Sequence, residues 1–415
     1  MNNFKIKLTP LEKYWILYDV GNSAFILLVS TIIPIYFKNI AAASGISAAN
    51  STAYWGYAIS ISTLIVAILG PTLGTLADTK GYKKPLFATF LMLGVIGCAA
   101  LSLNLVWLSF LYVFILAKVG VSGSLIFYDA MLSDVTTDDR MDLLSSSGYA
   151  WGYIGSCIPF TLSLVIILFA DKLLLTSGNA TKIAFILNSL WWLIVSIPLL
   201  KNYKQIHYVE AEKDALKMAL IRLKNTFKDI KNQKEIFTFL LAFFFYIDGV
   251  YTIIEMATSY GKDVGIGDNS LLFALLLTQV IAFPCALIFG RLSKKYKTKD
   301  LINVSIIGYF LITLFALQLD KAWEFWLLAV CVAIFQGAIQ ALSRSYFAKI
   351  IPKEKSSEYF GFYDIFGKGA SFTGAFLMGL TTQISGNSKT GVAFIAIMFV
   401  IGYFIFNASV KMKKA

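Results

Sequence analysis

Charge is scarce in this chain. Of its 415 residues only 14% are Asp, Glu, Lys or Arg and 58% are hydrophobic, against about 25% charged and 45–50% apolar in soluble domains. A water-facing surface cannot be built from so few charges, so lipid must solvate much of the chain. Histidine occurs once, at His207. No H-E-x-x-H, G-x-S-x-G or clustered His, Cys and acid arrangement is present to support hydrolysis. The stretch from Gly361 to Gly369, G-F-Y-D-I-F-G-K-G, spaces its glycines wrongly for a phosphate loop and lacks Ser or Thr after Lys368. Neither an enzyme nor a cofactor or metal is expected. The four cysteines, Cys98, Cys157, Cys285 and Cys331, all lie in apolar runs without ligand spacing and read as small apolar residues.

What is abundant is long apolar sequence. About 20 apolar residues at 1.5 Å each cross the roughly 30 Å hydrocarbon layer. Twelve such runs stand out: Tyr14–Phe37, Ala53–Ala77, Pro85–Leu105, Trp107–Met131, Ser147–Ala170, Thr181–Leu200, Glu235–Thr258, Leu271–Leu292, Leu301–Leu319, Trp323–Lys349, Tyr359–Gln383 and Thr390–Val410. Backbone groups in hydrocarbon must be paired within the segment, so these are helices. The basic N-terminus precedes a run too long for a signal-peptide core, and it reads as a retained first span.

The net charge of +12 does not mark a nucleic-acid binder. Most Lys and Arg fall in the termini and the even-numbered loops. That is the bias of cytoplasmic loops facing anionic lipid, so both termini are expected in the cytoplasm. One loop breaks the pattern: Asp134 to Asp142 carries four acids against Arg140 alone. Lys201–Lys234 is strongly basic, with Leu216, Leu220, Leu223, Phe227 and Ile230 at helical spacing. It reads as an amphipathic linker, 201–234, between six-helix halves at 1–200 and 235–415. His207, at its start, is read as solvated.

Gly74 to Lys84 reads G-T-L-A-D-T-K-G-Y-K-K between the second and third runs. It resembles the signature loop of the major facilitator superfamily, G-x-L-A-D-R-x-G-R-K, with Thr79 in place of the usual base. Gly290 to Lys299, G-R-L-S-K-K-Y-K-T-K, echoes it after the second run of the other half, with Lys294 where Asp78 stands in the first copy. The resemblance implies an all-α integral membrane fold of twelve helices in two pseudo-symmetric six-helix bundles. It also implies that Asp78 ties the bundles together at a helix N-terminus near Tyr359, with Gly74 and Gly81 shaping the turn.

Closer matches follow. Y-D-V-G-N-S-A-F at Tyr18–Phe25, F-Y-D-A-M-L at Phe127–Leu132, Q-A-L-S-R-S-Y-F-A at Gln340–Ala348 and F-G-F-Y at Phe360–Tyr363 are similar to the vacuole-effluxer-like permeases. That family includes the autophagy-related vacuolar amino-acid exporters. The resemblance implies an alternating-access secondary transporter for an amino acid or related metabolite. Lys118 and Asp364 stand where it implies neutral residues, an added cation and anion that either pair or grip a doubly charged substrate.

Ionisable residues within spans are costly, about 2.5–3.5 kcal/mol each at a helix centre, and mark function or pairing. Asp248 and Glu255 share a face of the seventh run and are the candidate proton carriers. Asp19, Asn22, Lys118, Gln336, Gln340 and Lys368 are the candidate substrate contacts, and Arg344 and Asp364 join Asp78, Gly74 and Gly81 as gating candidates. Asp364 and Lys368, four apart, also suit an internal ion pair. The expected partners are a small-molecule substrate, a coupling ion (H+ or Na+) and the lipid bilayer of a bacterial inner membrane, with the chain a monomer. The rival readings are an exporter of amphipathic lipids or drugs and a non-transporting receptor on the same fold.

Overall fold

The computed structural model describes residues 8–210, 218, 221, 223, 226, 233–263, 268–385 and 388–412. The described chain is almost wholly helical. In the first half run α1 (Pro10–Ser30), α2 (Ile32–Ala43), α3 (Ala48–Ala77), α4 (Lys83–Ala100), α5 (Trp107–Ala130), a single turn α6 (Leu132–Val135), α7 (Met141–Leu168) and α8 (Ser177–Asn202). The second half contains α9 (Lys234–Asp263), α10 (Asp268–Leu292), α11 (Thr298–Ala316), α12 (Ala322–Ile350), α13 (Ser356–Ser385) and α14 (Ser388–Met412).

Local chemistry sets the ends of these helices. Thr9 opens α1 with a capping box, its hydroxyl accepting from the Glu12 N–H while Glu12 reaches back to the Thr9 N–H, and Pro10 occupies the first helical position, where its missing N–H costs nothing. The first span is two helices rather than one, because Thr31 leaves helical geometry at φ −133° and ψ −76°. Between α3 and α4 the chain turns at Gly81, with φ +83°, a conformation that L side chains resist.

Eleven segments among the described residues are long and apolar enough to cross a membrane. Helix α13, 30 residues long, makes the twelfth span; it carries Asp364 and Lys368 midway and packs against α3, α5, α9 and α14. Elsewhere the outer faces are bare hydrocarbon. Ile61, Leu64, Ile68, Leu162 and Phe404 are exposed, as befits helices that are apolar all round and meet lipid.

The two halves repeat one pattern of neighbours. Helix α1 packs on α7 and α8 as α9 packs on α13 and α14. Helix α3 meets α5 as α10 meets α12; α4 meets α5 and α8 as α11 meets α12 and α14; α7 meets α8 as α13 meets α14. Across the divide, α3 and α5 meet α13, while α7 meets α10 and α12. The linker's Leu216, Leu220, Phe227 and Ile230 lie outside the described residues.

Candidate functional site: an ionic gate and a charged vestibule

The bundles are tied together at the end that carries the α3–α4 turn, here termed the basic end. Three glycines set how closely they approach. A Cβ on Gly74 would lie 2.4 Å from the Ser357 carbonyl oxygen, and one on Gly361 would lie 2.7 Å from the Pro71 nitrogen. At the pseudo-equivalent crossing of α10 and α7, a Cβ on Gly290 would lie 2.7 Å from Ser146 Cβ. Gly337 on α12 packs mainly within its own bundle, its Cβ position 2.8 Å from Ala286 Cβ, with the Tyr153 ring of the other bundle at 3.1 Å.

That approach delivers the start of α13 to Asp78. The N–H groups of Ser357 and Glu358 donate to its two carboxylate oxygens at 2.9 Å each. Those N–H groups have no partner within their own helix, and the helix dipole favours an anion there. Lys83, fully buried, sits behind: its Nζ is 3.8 Å from Asp78, 3.2 Å from Asp134 Oδ2 and 2.9 Å from Ser356 Oγ. Burial pushes the Asp78 carboxyl up to about 6, although Lys83 and the two N–H donors oppose it. Burial would raise Asp134 as well, but Lys83, His207 and Tyr203 outweigh it and hold that carboxyl below its usual range.

His207, expected from the sequence to be merely solvated, is half-exposed but anchored. Its backbone N–H and Nδ1 both meet Asp134 Oδ1, at 2.8 and 3.0 Å. The segment leaving α8 is stitched to the signature turn: Val209 N–H donates to the Asp78 carbonyl at 2.8 Å, Lys80 N–H donates to the Val209 carbonyl at 3.0 Å, and the Gln205 side chain bonds Ala77 and Gly81. Two of the four acids in the loop that broke the charge pattern find their partners in the other half. Asp142 pairs with Lys349 at 2.7 Å and accepts from Ser345 and Thr298 at 2.6 Å each, while Asp138 pairs with Lys353 at 2.7 Å.

Deeper in, Arg344 reaches from α12 into the first bundle. Its guanidinium donates to Asp129 at 2.9 Å, to Asp19 at 3.4 Å, and to the hydroxyl and carbonyl of Ser145 at 2.9 and 3.1 Å. The rings of Trp15 and Tyr149 lie 4.7 and 4.5 Å from its central carbon. An arginine fork suits this bidentate, stacked position where lysine would not. Asp19 is therefore a partner of Arg344 rather than an open substrate contact. Asn22 is buried beside it, donating to the Tyr18 carbonyl and to Asp19 Oδ1 at 2.9 and 3.4 Å. Both are buried here, and Asp19 is held by a cation from the other half.

Beyond this lock, half-exposed charged side chains of the two bundles come near one another. Lys368 and Asp364 form an ion pair at 2.6 Å on α13, and Lys118 acts on Asp364 electrostatically from α5. Gln340 donates to the Tyr153 hydroxyl at 3.4 Å and to the Gln336 carbonyl at 3.2 Å, and Gln336 is buried. Asp248, expected to face this space, is wholly buried between α9 and α13, where it accepts from the Gly374 N–H at 2.8 Å and from Thr252 at 3.4 Å. A glycine at 374 lets the carboxylate reach the helix backbone. The side chain of Glu255 lies outside the described residues.

Two halves of one helical pattern, closed at one end by an acid-capped helix and holding charge between them, define a major facilitator superfamily transporter rather than an enzyme. Comparison with known proteins agrees. A family profile for the vacuole effluxer Atg22-like proteins matches residues 47–415, and the chain belongs to that family. It is 45% identical to the MFS-type transporter YxiO of Bacillus subtilis (strain 168), over 96% of this chain and 94% of that protein. It is 24% identical to autophagy-related protein 22 of Kluyveromyces lactis, over 81% and 68%. The crystal structure of the MFS transporter FucP in the outward conformation superimposes with a TM-score of 0.72 at 13% identity, covering 98% of this chain and 99% of that one.

Proposed function

We propose that this chain is a secondary active transporter that moves a small organic solute by alternating access, coupled to H+ or Na+. The solute is an amino acid or a related metabolite carrying both charges. The protein works as a monomer in a bacterial inner membrane, with the basic end and both termini in the cytoplasm. One observation carries this reading: half-exposed charge of both signs faces across the bundles, with Lys118 on one and the Asp364–Lys368 pair on the other. Charge deep in a membrane protein is kept where it is paired or used. A zwitterion can exchange partners with the Asp364–Lys368 pair, its ammonium meeting Asp364 and its carboxylate meeting Lys118 and Lys368, without changing the net charge there. Gln340 and Tyr153 add neutral donors and acceptors on the opposite wall.

The family membership and the amino-acid exporters it contains support the same class. The test is counterflow in liposomes: protein reconstituted with unlabelled amino acid inside should take up labelled amino acid at equal pH. Exchange of nucleosides or amphipathic cations in place of amino acids would refute the substrate class. Failure to exchange any of the three would refute the carrier reading in favour of a receptor.

A further inference from the structure

We propose that Asp129 is the proton-binding carboxylate of this transporter, and that its protonation frees Arg344 so that the basic end can open. The proposal rests on the reading of the chain as an ion-coupled carrier. It starts from charge. Arg344 belongs to one bundle, while Asp19 and Asp129 belong to the other, and the cation lies between them at 3.4 and 2.9 Å. The guanidinium cannot stay on both bundles when they part at this end. Its departure would strand two carboxylates among the rings of Trp15, Tyr128 and Tyr149, which is far costlier than stranding one. A proton taken from vestibule water onto one carboxylate gives a neutral acid, while the guanidinium keeps its charge and leaves with α12. One site is thereby matched to one opening event.

Exposure identifies which acid takes the proton. The Asp129 side chain retains 19% of its surface, against 8% for Asp19. Asp19 is also held by Asn22 and pressed against α7, where a Cβ on Gly148 would lie 2.4 Å from its Oδ2. Asp364, also half-exposed, is paired within its own helix to Lys368, so relative motion of the bundles does not change that partner. The titratable and charged groups facing Asp129 are Tyr18 and Asp19 from α1, Tyr149 from α7, Arg344 from α12, and Tyr363 and Asp364 from α13. Arg344 is the only cation among these. Its departure removes the one favourable charge that the two carboxylates share, and a proton is the replacement that leaves no acid stranded.

The readout needs no substrate. Spin labels are placed at Tyr82→Cys and Lys295→Cys, exposed positions on opposite bundles at the basic end, with Cys98, Cys157, Cys285 and Cys331 replaced by alanine. Their separation reports the ratio of open to closed protein. Between pH 8 and pH 5 the otherwise unaltered protein should shift toward open, relative to the Asp129→Asn variant, by up to about tenfold per pH unit, the limit for one proton. Asp129→Asn should already be open at pH 8. Asp129→Glu, which keeps a titratable acid and guards against a folding defect, should respond to pH, as should Asp364→Asn. An unaltered pH response in Asp129→Asn, loss of response in Asp129→Glu, or loss in Asp364→Asn would each overturn the assignment. None of these outcomes bears on the amino-acid counterflow that tests the carrier reading itself.

Discussion

Replacing Gly74 with alanine adds one methyl group at the crossing of α3 and α13. The new carbon would lie 2.4 Å from the Ser357 oxygen, 2.8 Å from its carbonyl carbon and 3.0 Å from Glu358 Cα, all fixed backbone atoms. Non-bonded carbons sit comfortably at about 3.5–4.0 Å, so the helices must separate by about 1 Å. The Asp78 hydrogen bonds, now 2.9 Å, would stretch beyond useful length. Bonds to a charged group contribute about 1.5–3 kcal/mol each, so losing both disfavours closure by about 3–6 kcal/mol. At about 1.4 kcal/mol per tenfold, the open population should rise at least a hundredfold. Spin labels at Tyr82→Cys and Lys295→Cys would read this as a longer distance. Gly81→Ala is the control, since its backbone is strained at φ +83° but nothing lies within 4 Å of the new carbon. It should cost stability of about 1 kcal/mol without opening the gate. An unchanged distance distribution in Gly74→Ala would refute the claim that this crossing sets closure.

Asp78→Asn should keep the fold and most substrate binding while slowing turnover, and normal turnover in liposomes would remove Asp78 from the gate. The Asp78 carboxyl lies near 6 in the folded protein, above its ordinary 3.8, so the folded state holds the proton more tightly than the unfolded state does. Stability from this group therefore rises as pH falls through 6 and is absent above it. Measured against Asp78→Asn, the unaltered protein should gain about 1 kcal/mol between pH 6 and pH 5, seen as a converging melting temperature. Arg344→Gln, which strands two acids, should destabilise by about 3–5 kcal/mol, and adding Asp19→Asn and Asp129→Asn should recover much of that loss. His207→Ala should loosen the segment after α8 by about 1 kcal/mol, so that limited proteolysis cuts near Val209 faster; an unchanged cutting rate would show that the imidazole adds nothing to the backbone bonds from Asp134.

Legibility in the sequence followed distance along the chain. Twelve apolar runs and the Asp364–Lys368 pair were visible because membrane thickness and helical spacing are local rules. Asp78 was visible through its motif. Asp19 was read as a substrate contact because its partner, Arg344, is 325 residues away, and nothing near Asp19 announces a cation. The acidic loop showed that something was unusual, yet Lys349 and Lys353, which answer it, lie in the other bundle. Asp129 stands within the F-Y-D-A-M-L match, but nothing there says what it does; only its shared hold on Arg344 distinguishes it. The lone histidine looked idle because the signal for its role is Asp134, a residue in the loop it folds back upon.

The parallel bridge between Thr79 and Val209 has a mechanical consequence. Because it rivets the first stretch of the interdomain connection to one bundle, that stretch travels as cargo with its own half and contributes no slack.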